Sequence, residues 1–196
     1  GCAGAPKRLA DVLPTPVINA GDGAHEHPTQ ALLDAFTLRE RLETLSGLSV
    51  LIVGDILHSR VARSNILLLK KMGAAVRVCG PRTMMPHAIE QLGVEYVPRL
   101  AEAIRDVDVI MMLRIQKERQ QANRFPNERE YARFFGLNRA VLQHARKDVL
   151  IMHPGPVNRG VEISPDVMAL PDNIILDQVT SGVAIRMALM YLFTGK

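Results

Sequence analysis

The side chains whose types and spacing can do chemistry fall in four clusters: His27 with Gln30, Arg60 with Arg63, Arg114 with Gln116, and the run His153-Pro154-Gly155-Pro156. Pro28 suits the first position of a helix, where its missing N–H is no loss and its ring presets φ. His27 then falls at the N-cap, with Thr29 and Gln30 in the first turn. A helix start offers unpaired N–H groups and a positive dipole end to an anion, and an imidazole plus a carboxamide can reach a carbonyl oxygen. The alternative is a His27 that only caps the helix and a Gln30 in solvent. Arg60 and Arg63 sit in or near the first turn of another helical pattern. Positive charge there opposes the macrodipole by about 0.3 to 1 kcal/mol per exposed residue. A bound carboxylate would offset that, and so would pairing with Asp55 or simple hydration. Arg114 ends an apolar run, where a guanidinium can grip a carboxylate with two parallel bonds. Gln116, two residues on, reaches the same side of an extended segment, although a plain surface turn has a similar composition. Two prolines fix the backbone after His153; the carbonyls of Pro154 and Gly155 could face an amine or amide, but the residues alone read only as a rigid loop.

These clusters follow apolar runs, which identifies the elements that carry them. Thr15 to Ala20 reads as a strand into the turn Gly21-Asp22-Gly23, and Pro28 to Leu45 as a long helix with Leu32, Leu33, Phe36, Leu42 and Leu45 on one face. Leu48 to Val53 is a continuous apolar run, the pattern of a parallel strand covered on both faces. Helices near Arg60 to Met72, Pro86 to Leu92, Leu100 to Asp106 and Asn138 to Arg146 alternate with strands at Ala75 to Cys79, Val94 to Val97, Val107 to Leu113 and Val149 to Met152. A polar stretch, Gln116 to Gly136, interrupts the rhythm. A last strand, Asn173 to Leu176, and a closing helix, Ser181 to Phe193, complete the pattern. The expected fold is α/β, a doubly wound three-layer parallel sheet with helices on both faces and right-handed crossovers. In such sheets ligands bind beyond the carboxyl ends of the strands, where all four clusters lie.

With 196 residues, 47% hydrophobic and 22% charged, the chain can bury one sizeable core. The net charge of +4 comes from scattered Lys and Arg with only 4% aromatic residues, which argues against nucleic acid and fits small anionic substrates. Cys2 and Cys79 form neither a disulfide framework nor a metal-ligand spacing, so a cytoplasmic protein is expected. No apolar stretch is long enough to span a membrane, and the start lacks a signal-like run. The opening Gly1-Cys2-Ala3-Gly4, without Met, reads as a cut inside a longer polypeptide.

His27-Pro28-Thr29-Gln30, opening a helix after a Gly-Asp-Gly turn, resembles the carbamoyltransferase family, and within it the aspartate-using branch. The later clusters extend the resemblance over nearly the whole chain: Gly54-Asp55 before Arg60, Arg114-x-Gln116-x-Glu118-Arg119, and His153-Pro154-x-Pro156 followed by Arg159. The ornithine-using relatives carry a cysteine after that histidine, where Pro154 stands here. The resemblance implies a Rossmann-like fold and carbamoyl transfer from carbamoyl phosphate to the amino group of L-aspartate, a step of pyrimidine synthesis, without metal or organic cofactor. It assigns His27 to the carbonyl oxygen and Gln30 to the carbamoyl group. Arg60 takes the aspartate α-carboxylate and Arg114 its side-chain carboxylate, while Gln116 supports the substrate. The carbonyls of Pro154 and Gly155 orient the carbamoyl and amino groups, and Gln120 to Gly136 corresponds to the family's mobile loop.

The family's phosphate-gripping Ser-Thr-Arg-Thr motif does not occur in this sequence. Residues 1–27 are therefore expected to be a remnant of a carbamoyl-phosphate domain, 28–177 the aspartate-binding domain, and 178–196 a closing helix that packs on that first domain. The resemblance implies a homotrimeric parent, with room for regulatory or pathway subunits, and the chain alone is expected to be an incomplete site. Two other readings stand beside this one. A non-catalytic aspartate-binding or assembly fragment is favoured by the missing motif. A nucleotide-cofactor enzyme would use Gly21-x-Gly23-x-x-Glu26, but lacks the third glycine.

Overall fold

The computed structural model describes residues 3–115 and 127–194. Its centre is a five-stranded, all-parallel sheet in the order β3-β2-β1-β4-β5. The strands are β1 (Ser49–Val53), β2 (Ala75–Cys79), β3 (Glu95–Tyr96), β4 (Val109–Met112) and β5 (Leu150–Met152). The order reverses between β1 and β4, which pair from Val50 with Val109 to Val53 with Met112. That reversal opens a crevice at the carboxyl ends of these two strands.

Burial on both sides explains the unbroken apolar runs of β1 and β4. Val50 and Ile52, with Val109 and Met111, pack into one cluster with Ala35 and Leu38 of α2 (Pro28–Leu42) and Ala62, Ile66 and Leu69 of α3 (Arg60–Lys71). Their neighbours Leu51, Val53, Ile110 and Met112 face the opposite cluster, with Leu100 and Ala103 of α4 (Leu100–Ala103) and Val167 of α7 (Pro165–Met168). Alternate residues thus serve alternate layers, as the pleat requires. The expected doubly wound sheet is the observed one.

Three local expectations are corrected. Thr15 to Ala20 is not a strand; it runs without a ladder partner between α1 (Ala5–Val12) and the turn at Gly21. Asn173 to Leu176 is not a strand either. Asn173 makes one isolated bridge to Ile151, and its side chain accepts from the Ile175 N–H at 3.1 Å, an Asx turn that leads directly into α8 (Ile175–Thr194). The closing helix therefore begins earlier than its polar-apolar pattern indicates. Pro86 to Leu92 yields only a 3₁₀ turn at Ile89–Leu92. The polar stretch after Arg114 contains α5 (Glu128–Phe135), capped by Asn127, whose side chain accepts from the Glu130 N–H at 2.8 Å. α6 (Arg139–Leu142) follows. Among the described residues no helix is long and apolar enough to cross a membrane.

Candidate active site

A cavity of about 220 Å³ lies at the carboxyl ends of β1, β4 and β5. His27, Gln30, Arg60, Arg114, Pro154 and Gly155 all line it, together with Ser59 and the apolar Val61 and Leu113. Residues distant in sequence meet here because each follows a strand or opens a helix at the same end of the sheet. Among the described residues that line the cavity none is acidic, and two carry guanidiniums. Gln116 lies outside the described residues, as does the first part, 120–126, of the segment expected to be a mobile loop; the rest of that segment carries α5. Arg63 does not join the cavity. It lines a neighbouring one of about 240 Å³ with His87.

The start of α2 is fastened to α3, where the backbone N–H of His27 donates to Ser64 Oγ at 2.9 Å. The His27 side chain makes no cap hydrogen bond, so capping is not its task. Its Nδ1 lies 3.4 Å from the Thr29 hydroxyl. With that hydroxyl donating, Nε2 carries the ring proton and is a donor. Burial, followed by the positive charges of Arg60 and Arg186, brings the His27 pKa down to about 4. At neutral pH the ring is therefore an uncharged hydrogen-bond donor.

That shift has a measurable sign. Between pH 4 and an ordinary imidazole value near 6.5 the unfolded chain binds a proton at His27 that the folded chain does not. This group therefore weakens the fold as pH falls through that window. An NMR titration is expected to place the His27 midpoint near 4, and Arg60→Ala is expected to move it toward 6.5. A midpoint near 6.5 in the unaltered chain would contradict the burial argument.

Arg60 opens α3 behind the N-cap Ser59, whose hydroxyl accepts from the Ala62 N–H at 3.1 Å. The Arg60 guanidinium lies against the Gly21 turn and donates to the Gly23 carbonyl at 3.4 Å. Asp55, a candidate partner for Arg60, is engaged by His58, whose Nδ1 and backbone N–H lie 2.9 and 3.1 Å from its Oδ1. Gly21 has φ +137, and a Cβ there would come within 2.7 Å of Arg60 Nη1. Gly21→Ala is therefore expected to displace the guanidinium and weaken carboxylate binding about tenfold, close to 1.4 kcal/mol. Calorimetric titration with L-aspartate reads this directly, and an unchanged affinity would separate Arg60 from the site.

His153 is 1% exposed and organises the rim after β5. Its Nδ1 accepts from the Gly155 N–H at 2.9 Å, and its own backbone N–H donates to Gln178 Oε1 at 2.9 Å.

Two buried carboxylates were not legible as site residues. Asp34 is wholly buried and accepts from Gln30 Nε2 at 3.0 Å, Gln178 Nε2 at 2.7 Å and Asn65 Nδ2 at 2.8 Å. A Gln followed four residues later by Asp on a helix was the available signal. Glu162, also wholly buried, accepts from the backbone N–H groups of Ile115 (2.9 Å) and Asn158 (2.6 Å) and from Asn158 Nδ2 (2.7 Å). It joins the strand end that bears Arg114 to the rim that bears Pro154 and Gly155. Nothing in its local sequence, Arg159-Gly160-Val161-Glu162, distinguishes it from a surface loop.

Comparison with known proteins gives the same family. Residues 46–193 match the model of the aspartate/ornithine carbamoyltransferase Asp/Orn binding domain, and residues 3–40 match that of the carbamoyl-P binding domain. The chain is 63% identical over 194 residues to the aspartate carbamoyltransferase catalytic subunit of Syntrophus aciditrophicus, covering 99% of this chain and 63% of that one. It also resembles aspartate transcarbamoylase from Trypanosoma cruzi in complex with phosphate (TM-score 0.85, 29% identity, 97% of this chain and 64% of that one). The same enzyme in complex with N-(phosphonacetyl)-L-aspartic acid gives a TM-score of 0.80 at 29% identity, over 97% of this chain and 61% of that one. The chain thus spans under two thirds of the length of these relatives. By sequence, fold and the residues gathered in its cavity, it belongs to the aspartate/ornithine carbamoyltransferase family.

Proposed function

We propose that this chain supplies the aspartate-binding and carbamoyl-orienting side of a site that transfers the carbamoyl group of carbamoyl phosphate to L-aspartate. The observation that carries the proposal is the cavity itself, where two guanidiniums, an uncharged imidazole and a carboxamide converge. A dicarboxylate amino acid complements that set. Arg60 holds the α-carboxylate and Arg114 the side-chain carboxylate. An ornithine ammonium in the place of the second carboxylate would be repelled by Arg114.

In the reaction the free amine of aspartate attacks the carbamoyl carbon, and oxyanion charge develops on its carbonyl oxygen. His27 donates to that oxygen, and the gain is largest in the transition state, where the charge is greatest. The C–O bond to phosphate then breaks, the amine's proton passes to the departing phosphate, and N-carbamoyl-L-aspartate and phosphate separate. Gln30 accepts from the carbamoyl NH₂, and the carbonyls of Pro154 and Gly155 accept from the amine and the same amide. Gln116 supports the aspartate from the adjoining segment. Much of the acceleration comes from holding two anionic reactants in contact.

The phosphate is gripped by residues outside these 196. Residues 28–177 serve as the aspartate-binding body, with 1–27 and 178–196 as flanks for the carbamoyl-phosphate half. In support, α1 buries no residue, and Leu176, Val179, Val183, Met187 and Tyr191 of α8 are exposed apolar side chains. The expected assembly is the family's homotrimer. The compartment is a reducing cytoplasm, which suits the buried thiol of Cys79, pushed by desolvation up to about 12.

Calorimetric titration of the chain with L-aspartate and with L-ornithine tests the specificity. Binding of aspartate and none of ornithine is expected; the reverse preference would overturn the proposal.

A further inference from the structure

Gln30 presents a carboxamide to the cavity, and a carboxamide has a donor end and an acceptor end of nearly equal size. Which end faces the substrate decides whether Gln30 can serve a carbamoyl NH₂. The question is settled one helical turn away, at a residue that does not line the cavity. Asp34 Oδ1 accepts from Gln30 Nε2 at 3.0 Å, so the amide nitrogen is turned toward the helix interior. The carboxylate is itself fixed from two other elements: Gln178 of α8 donates to Oδ1 at 2.7 Å, and Asn65 of α3 donates to Oδ2 at 2.8 Å. Asn65 is in turn held by its own Nδ2, which also reaches the Val61 carbonyl at 3.1 Å.

We propose that Asp34 is a positioning residue: its buried carboxylate anchors the NH₂ of Gln30, so that the carboxamide oxygen is the end offered to the carbamoyl NH₂. An ionised carboxylate is an acceptor only, and no side chain of similar size has that property. Asparagine at position 34 would present an NH₂ as readily as an oxygen, and Gln30 could then turn over. Desolvation raises the Asp34 pKa to about 6 while the three amide bonds oppose the rise, so the group is ionised at neutral pH. The proposal rests on the carbamoyl-binding role given to Gln30 above.

A double-mutant cycle tests it with N-(phosphonacetyl)-L-aspartate as the probe, comparing the unaltered chain, Asp34→Asn, Gln30→Ala and the double variant by calorimetry. Each single change is expected to weaken binding about 10- to 100-fold, and the double variant is expected to bind no worse than Gln30→Ala alone. Additive losses, or an Asp34→Asn chain that binds like the unaltered one, would overturn the proposal. Failure of the unaltered chain to bind the probe would instead overturn the functional reading on which it rests.

Should Asp34→Asn not fold, the unaltered chain still decides the matter. The Gln30 side-chain NH₂ protons, followed by NMR, are expected to exchange at least tenfold more slowly than those of an exposed glutamine, and to stay protected when the probe binds. Loss of that protection on binding would mean that the NH₂ turns to the ligand, and the proposal would fail.

Discussion

Arg114→Ala is expected to weaken binding of L-aspartate and of its phosphonacetyl derivative by about two to three orders of magnitude. Truncating one partner of a desolvated charge pair costs about 2 to 5 kcal/mol, and each 1.36 kcal/mol corresponds to about a factor of ten. The guanidinium stands at the end of β4, where the half-buried Arg114 follows the fully buried Leu113. The strand therefore fixes where the charge sits, and little binding energy is spent on ordering it. Arg114→Lys is expected to recover only a small part of the loss, because an ammonium keeps the charge but not the fork that meets both carboxylate oxygens. Calorimetry with the three chains checks this. An alanine variant that bound aspartate within a few-fold of the unaltered chain would remove Arg114 from the site.

Glu162→Ala is expected to be among the most destabilising single changes in the chain, at about 3 to 5 kcal/mol. The carboxylate is wholly buried and takes three donors, two of them backbone N–H groups that lose their acceptor once it is gone. His153, equally buried, has its Nε2 3.7 Å from Glu162 Oε2 and would lose the negative charge it faces. At about 2 to 4 °C per kcal/mol for a chain of this size, the melting temperature should fall by roughly 10 °C or more. The same change should weaken aspartate binding, since Ile115 follows Arg114 directly and Asn158 lies on the loop beyond Gly155. Glu162→Gln keeps one acceptor oxygen but points an NH₂ at existing donors, and its loss should lie between those of the alanine variant and the unaltered chain. Thermal unfolding by circular dichroism distinguishes the three. A Glu162→Ala chain that melts within 2 °C of the unaltered one would show that the two loops are held by other means.

These two residues differ in how far local sequence determines their surroundings. Arg114 was legible because it ends an apolar run of strand length, where strand ends of a parallel sheet converge, and because Arg-x-Gln-x-Glu-Arg resembles the aspartate branch of the family. The helix start at Pro28 brought out His27 and Gln30, the positive charge opening α3 brought out Arg60, and the family resemblance brought out Pro154 and Gly155; the cavity contains all of them. Glu162 was not legible, since a charged residue in a Gly-containing loop is nearly always solvated and its burial depends on partners at Ile115 and Asn158. Asp34 lies between. Its spacing from Gln30 was visible, but its contact with Gln178 depends on how α8 crosses α2, which no local pattern encodes. Strand assignments failed where pairing was the deciding factor: Thr15 to Ala20 has strand-like composition but no neighbouring strand, and Asn173 breaks its run with an Asx turn.

The central claim is that one cavity, at the reversal of strand order, binds an aspartate-like dianion beside an activated carbamoyl group. The most direct measurement is an NMR titration of the chain with N-(phosphonacetyl)-L-aspartate, following His27, the Gln30 carboxamide, the Arg60 and Arg114 guanidiniums and the Gly155 amide. The account predicts that these signals shift together along one saturating curve while those of Arg63 and His87, in the neighbouring cavity, stay in place. Shifts centred on Arg63 and His87, or no saturable shift at all, would contradict it.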